Sequence, residues 1–167
     1  MRGTRITLTY PSLLYTYVLT PCVGYYTYKD VILCVCLEHG MPTEYKPHRG
    51  ASTVLEKAVL QKRAPRVELL IRYHADVDLY DGFPIRYAVY DNNTCIISVL
   101  IKAGVDVNLH DTYGPAISTA LQSSSVSVVS QLLEAGADLP YDAMSIARVS
   151  HIDSAEKVEF LSARQKT

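Results

Sequence analysis

This chain has almost no excess of either charge. Lysine and arginine number 16 against 17 aspartates and glutamates, giving a formal net charge of −1. Nucleic-acid binding needs a clustered basic face, so that function class is not indicated. The largest basic grouping, Lys62–Arg63 with Arg66, reads as a solvated helix edge. Long hydrophobic runs are missing too, since none reaches the roughly 18 apolar residues of a membrane span. Cysteine is sparse: Cys22, Cys34, Cys36 and Cys95 form neither a metal-ligand spacing nor a disulfide framework. On a helix, Cys34 and Cys36 point about 200° apart and could not share one metal. They read as buried free thiols in a reducing compartment. No convergent polar site is evident, so no catalytic residue, metal or cofactor is expected.

What the chain does have is recurrence. Val67–Asp76 reads V-E-L-L-I-R-Y-H-A-D, and the phrase returns as I-S-V-L-I-K-A-G-V-D at Ile97–Asp106 and V-S-Q-L-L-E-A-G-A-D at Val129–Asp138. Self-similarity at 30 and then 32 residues marks a stacked-repeat architecture. Each unit opens with an apolar residue and an alanine three positions later: Leu55/Ala58, Ile85/Ala88 and Ile117/Ala120, with Met144/Ala147 a weaker fourth. Residues three apart share a helix face, and alanine lets a neighbouring helix approach closely. A second helix ends in Leu70-Ile71, Leu100-Ile101 or Leu132-Leu133, with Val67, Ile97 and Val129 one turn earlier. From Ala58 to Ile71, Ala88 to Ile101 and Ala120 to Leu133 the spacing is 13 residues each time. The onward connection varies, as a surface loop does.

Gly40, Gly104 and Gly136 follow the second helix, where a left-handed residue closes it; His74 takes that place in another unit. Asp76-Val77-Asp78 and Asp106-Val107-Asn108 come next, then the turns at Asp81-Gly82 and Tyr113-Gly114. The unit is therefore helix, turn, helix and protruding turn, and the fold class is all-α.

These units resemble the ankyrin repeat, best in L-L-E-A-G-A-D (Leu132–Asp138) and V-L-I-K-A-G-V-D-V-N (Val99–Asn108), and partly in C-L-E-H-G (Cys36–Gly40). The family's T-P-L-H tetrad is lost: Pro84-Ile85-Arg86, Ala116-Ile117-Ser118 and Val54-Leu55-Glu56 stand in its place. The histidine of that tetrad ties neighbouring turns together, so those ties must be made otherwise. Gly82 and Gly114 stand three before Ile85 and Ile117, similar to a shorter-turn variant of fungal ankyrin arrays. The resemblance implies a solenoid of helix pairs with projecting fingers, each pair burying its apolar face against its neighbours. It divides a single 1–167 domain into an irregular first repeat at about 8–42, repeats at 48–78, 80–108 and 111–139, and a degenerate capping repeat at 141–163.

At the C-terminus, Arg148, Asp153, Glu156, Lys157, Glu159, Arg164 and Lys166 read as a polar outer face, with Val158, Phe160 and Leu161 left for packing. Arg2 and Arg5 precede a mostly apolar Ile6–Val18, the outline of a weak signal peptide. Pro11 interrupts it and no small-x-small site follows, so a repeat helix competes. The tyrosines of that region, Tyr10 to Tyr28, suit either an irregular repeat or a contact surface for a partner or second copy.

The resemblance also implies where a protein partner would bind: the finger turns and the exposed side of the first helices. The finger positions are Tyr45, Lys46, His48 and Arg49; Tyr80, Asp81 and Phe83; and His110, Asp111 and Tyr113. The helix positions are Lys57 and Gln61; Tyr87, Tyr90 and Asp91; and Thr119 and Gln122. Tyr80, Phe83, Tyr87, Tyr90 and Tyr113 are expected to form an aromatic patch. The functional expectation is a non-catalytic, intracellular protein-interaction module, monomeric, binding no nucleic acid and no membrane. Alternatives are a secreted or host-directed effector, a regulatory segment of a larger protein, and an enzyme using Cys34 or Cys36 with His39. The last is disfavoured because a helix C-terminus raises a thiol's pKa.

Overall fold

The computed structural model describes residues 28–44, 46, 52–111 and 114–164. The helices are α1 (Tyr28–Glu38), α2 (Val54–Leu60), α3 (Ala64–Arg72), α4 (Leu79–Tyr90), α5 (Thr94–Lys102), α6 (Ala116–Ser123), α7 (Val126–Glu134), α8 (Ala143–Arg148) and α9 (Ser154–Arg164). Two two-residue strands, β1 (His110–Asp111) and β2 (Gly114–Pro115), pair antiparallel before α6.

Local sequence explains where the helices start. Thr53 and Glu56 form a capping box at α2, each side chain meeting the other's backbone N–H. Pro65 sits in the first turn of α3, where its missing N–H costs nothing. The Asn93 side chain accepts from the Ile96 N–H at the start of α5. Helix ends are as regular. After α5, Gly104 N–H reaches Ile101 O and Val105 N–H reaches Leu100 O, with Gly104 at φ 83°. The same pair of bonds follows α1, α3 and α7, around Gly40, His74 and Gly136. These are left-handed caps that satisfy the last carbonyls. His74 adopts φ 60° without being glycine.

Helices pair within units and stack between them. α2 packs on α3, α4 on α5, α6 on α7 and α8 on α9. The first helices form one row, α2–α4–α6–α8, and the second helices another, α3–α5–α7–α9. The row contacts are made by the periodic residues: Leu55/Ala58, Ile85/Ala88 and Ile117/Ala120 are buried, as are Val67, Ile97, Val129, Leu70, Leu100 and Leu132. They belong to one core cluster running from Leu33 to Leu161. The architecture is an all-α solenoid.

Two charged residues depart from the sequence expectation. Arg66 is not on a solvated edge. It is 2 % exposed, and its guanidinium holds the buried Asp30 carboxylate through Nε and Nη2, each 2.6 Å from Oδ1. Lys157 is not on the polar outer face either. It is fully buried, donating from Nζ to Leu121 O at 2.9 Å and Ser150 Oγ at 2.7 Å. Both side chains are long enough to reach polar groups of the preceding unit, which a local reading does not reveal. Cys95 is exposed and Cys34 half-buried, so of the described cysteines only Cys36 is the buried thiol expected; burial pushes its pKa up.

Candidate functional site: a groove between first helices and fingers

The fingers are tied to each other by side chains. Glu44 Oε1 accepts the Asp76 N–H at 3.2 Å, Asp78 Oδ1 the Asp106 N–H at 2.9 Å, and Asn108 Oδ1 the Asp138 N–H at 2.9 Å. Asn108 Nδ2 also donates to Gly136 O. Within a unit, Asp76 accepts from the Asp78 N–H and Asp106 from the Asn108 N–H. This ladder supplies the ties that the lost tetrad does not. Its acceptors lie in register at Glu44, Asp78 and Asn108, and the next position in that register is Pro140. Its donors lie at Asp76, Asp106 and Asp138, and the position before them is Pro42, which has no N–H. Proline thus bounds both ends of the described ladder.

Beside the ladder the finger of α4 makes a sharp bend. Tyr80, Asp81 and Gly82 adopt φ 50°, 53° and 81° in succession, and the regular helix begins after them. The bend leaves Tyr80 and Asp81 exposed and tucks Gly82 against Leu109, where an added Cβ would come within 3.1 Å of Leu109 Cβ. Three left-handed residues in a row are costly except at glycine, and such strain concentrates where a surface is used.

Behind the bend, the first helices line an open groove of about 920 Å³. Phe83, Arg86, Tyr87 and Tyr90 come from α4, Thr119, Gln122 and Ser123 from α6, and Val149 and His151 from the segment after α8. Phe83 stacks on Tyr87 with ring centroids 5.8 Å apart, and Tyr90 lies 6.4 Å beyond at a tilt. Tyr90 is 67 % exposed and Val149 73 % exposed, whereas Tyr87 is half-buried. Asp91 is drawn to Lys62 at 2.6 Å; that hydrogen bond holds the Lys62 ammonium above its usual range.

The structure brings Phe83, Tyr87 and Tyr90 together and places Tyr80 elsewhere. The Tyr80 ring lies under the Lys46 ammonium, 4.3 Å from ring centroid to Nζ. His110 is exposed on the strand pair. Thr119 and Gln122 line the groove, while Lys57 and Gln61 are half-buried on α2 and its end. Tyr45, His48, Arg49 and Tyr113 lie outside the described residues, as do the tyrosines before Tyr28 and the Ile6–Val18 stretch. Arg86, Ser123, Val149 and His151 were missed by the sequence reading. Register could have found Val149: it stands two after Ala147, as Tyr90 and Gln122 stand two after Ala88 and Ala120.

Cys34 and His39 are not brought together as a nucleophile and base. Cys34 Sγ lies 3.6 Å from both Glu38 Oε1 and the Tyr73 hydroxyl, while His39 Nδ1 lies 2.7 Å from Val35 O. The Cys34 contact, desolvation and the Glu38 carboxylate push the Tyr73 phenol up to about 12.

The sequence model for ankyrin repeats in three copies matches residues 35–142. The chain belongs to the ankyrin-repeat family. No curated protein matches it. Ankyrin repeats are generally protein–protein interaction modules and the fold is non-catalytic, so the groove and ladder described above are the surfaces of interest. No helix among the described residues is long and apolar enough to cross a membrane. No cluster of three or more potential metal ligands occurs among them.

Proposed function

We propose that this ankyrin chain is a non-catalytic module that grips a partner protein between its first helices and its fingers. One observation carries the reading: exposed and half-buried aromatic rings of α4 line a groove that continues across α6 to Val149. Aromatic anchors of this kind dominate binding energies, each worth roughly 2 kcal/mol or more at a hot spot. Phe83, Tyr87 and Tyr90 are the anchors. Tyr80, Asp81 and His110 form a finger rim, and Tyr45, His48 and Tyr113 are further candidates for it. The ladder ties the fingers to one another, so the rim is pre-organised and less ordering entropy opposes binding.

Affinity capture with the intact chain and with the Tyr87→Ala/Tyr90→Ala variant tests this. Proteins retained by the first and lost from the second, with both chains folded by thermal unfolding, are the expected result. Equal capture by the two would remove the groove as the binding surface.

A further inference from the structure

We infer that Lys157 is a positioning residue for the groove: its buried ammonium, acting through Ser150, sets where Val149 and His151 stand. The inference rests on the proposed binding role of the groove and adds what fixes its shape. Val149 and His151 flank Ser150 in the segment 149–153 that joins α8 to α9. Apolar burial does not hold that segment, because Val149, His151, Ile152 and Asp153 are all exposed. The contacts that hold it centre on the Ser150 hydroxyl. Ser150 Oγ accepts the Ile152 N–H at 3.2 Å and the Lys157 ammonium at 2.7 Å. Its own proton lies within reach of Gln122 O at 2.9 Å and Ile152 O at 2.8 Å. Lys157 Nζ also donates to Leu121 O at 2.9 Å. Leu121 and Gln122 belong to the end of α6, and Gln122 and Ser123 line the groove themselves. One cluster of hydrogen bonds therefore joins the α6 side of the groove to the segment after α8.

Register shows that the amine is a replacement. Lys157 stands four before the buried Leu161, as Ile96 stands four before Leu100 and Val128 four before Leu132. Two inner units thus place a buried apolar residue at this point. In α3 the position belongs to Arg66, which reaches Asp30 of the preceding helix in the same way. The carbonyl that Lys157 meets is also a recurring one. Leu121 follows Ala120 as Val89 follows Ala88, and Val89 O accepts from the Ser124 hydroxyl at 2.7 Å. Ser124 lies in the turn joining α6 to α7, so that turn is tied directly to the unit before it. In the last unit Lys157 takes the equivalent carbonyl, and Ser150 reaches Gln122 O, one residue on. A buried ammonium is costly and is tolerated where hydrogen bonds compensate it. An apolar side chain of similar length would pack α9 without that cost, but it could not grip Ser150. The amine is fully buried, so it meets no ligand itself and acts on the groove through the placement of Val149 and His151.

Backbone nitrogen relaxation on the full chain tests the inference in the native protein and in Lys157→Met, Ser150→Ala and Ser150→Thr. Rigid backbone gives order parameters of about 0.85 and flexible backbone values below about 0.6. Residues 149–152 are expected near the rigid value in the native chain. In Lys157→Met and in Ser150→Ala they should fall towards the flexible value while α8 and α9 stay rigid. Ser150→Thr, which keeps the hydroxyl, should retain the native value. The double variant Lys157→Met/Ser150→Ala should be no looser than either single one, because both changes remove the same contact. A native chain already flexible at 149–152, or a folded Lys157→Met as rigid there as the native chain, would overturn the inference. So would order lost along the whole of α9 in Lys157→Met with Ser150→Ala unaltered, which would make the amine a packing element. A second measurement leaves Lys157 in place. Its ammonium signal should shift in Ser150→Ala and return towards the native position in Ser150→Thr, and a signal blind to both changes would overturn the contact. These readouts involve no ligand, so the capture experiment judges the groove separately. A protein retained there through Tyr87 and Tyr90, once purified, should bind Lys157→Met about threefold or more weaker than the native chain; equal affinity would overturn the positioning role.

Discussion

Single residues carry two tensions in this chain. His74 closes α3 at φ 60°, where three other units use glycine, and it is exposed. A side chain in that conformation costs on the order of 1 kcal/mol. His74→Gly is expected to raise unfolding free energy by about 0.5–1 kcal/mol, measured by urea denaturation. Gly104 is the control, because an added Cβ there meets nothing within 4 Å. Gly104→Ala should cost about 1 kcal/mol from backbone strain alone. The second tension is Lys157, whose amine is buried and titrates below its ordinary 10.5 because of desolvation, with Asp153 pulling the other way. Between the lowered folded value and 10.5 the unfolded chain binds the extra proton, so raising pH through that window favours folding. The stability of the native chain relative to Lys157→Met should therefore increase as pH climbs towards 10.5. A difference that stays flat with pH would mean the amine is not perturbed.

At the scale of elements, the fingers depend on a polar ladder where the helices depend on apolar faces. Asn108 shows the division of labour, since its Oδ1 accepts from Asp138 and its Nδ2 donates to Gly136 O. Both bonds are exposed, and a hydrogen bond nets about 1 kcal/mol. Asn108→Ala should cost about 1–2 kcal/mol, and Asn108→Asp, which keeps the acceptor, about half of that, both by urea denaturation. The turns joining the two helices of a unit use a different device. Lys62 and Asn92 take left-handed conformations there, at φ 56° and 54°. In the next unit Ser124 is extended and bonds to Val89 O at 2.7 Å, and Ser125 bonds to Asn92 Oδ1. That switch is visible only once neighbouring units are seen side by side.

For the whole molecule, the core is a row of interfaces and has no single centre. Leu100 lies fully buried in α5, which packs against α3 and α7 as well as α4. Leu100→Ala should cost about 2–5 kcal/mol. Because each unit is stabilised mainly by its neighbours, amide exchange protection should fall across α3, α5 and α7 and least in α9. The buried Arg66–Asp30 pair extends this coupling to α1, joining helices whose partners are 36 residues apart. Removing one member of such a pair leaves an uncompensated charge, so α1 is held to the stack by a contact that the apolar period does not predict.

The sequence by itself determined the repeat, the helix pairs, the caps at Gly40, Gly104 and Gly136, and the core positions from Leu55 to Leu132. These follow from the 3.6-residue turn and the conformational needs of a helix end, which act over a few residues. Six of the nine candidate binding residues fall on described surface, but only Phe83, Tyr87 and Tyr90 share the groove. Tertiary structure alone decided that Tyr80 turns away to Lys46, that Val149 and His151 join α4 across two units, and that Arg66 and Lys157 are buried. Those outcomes depend on the offset between stacked units, a distance that no window of neighbouring residues contains.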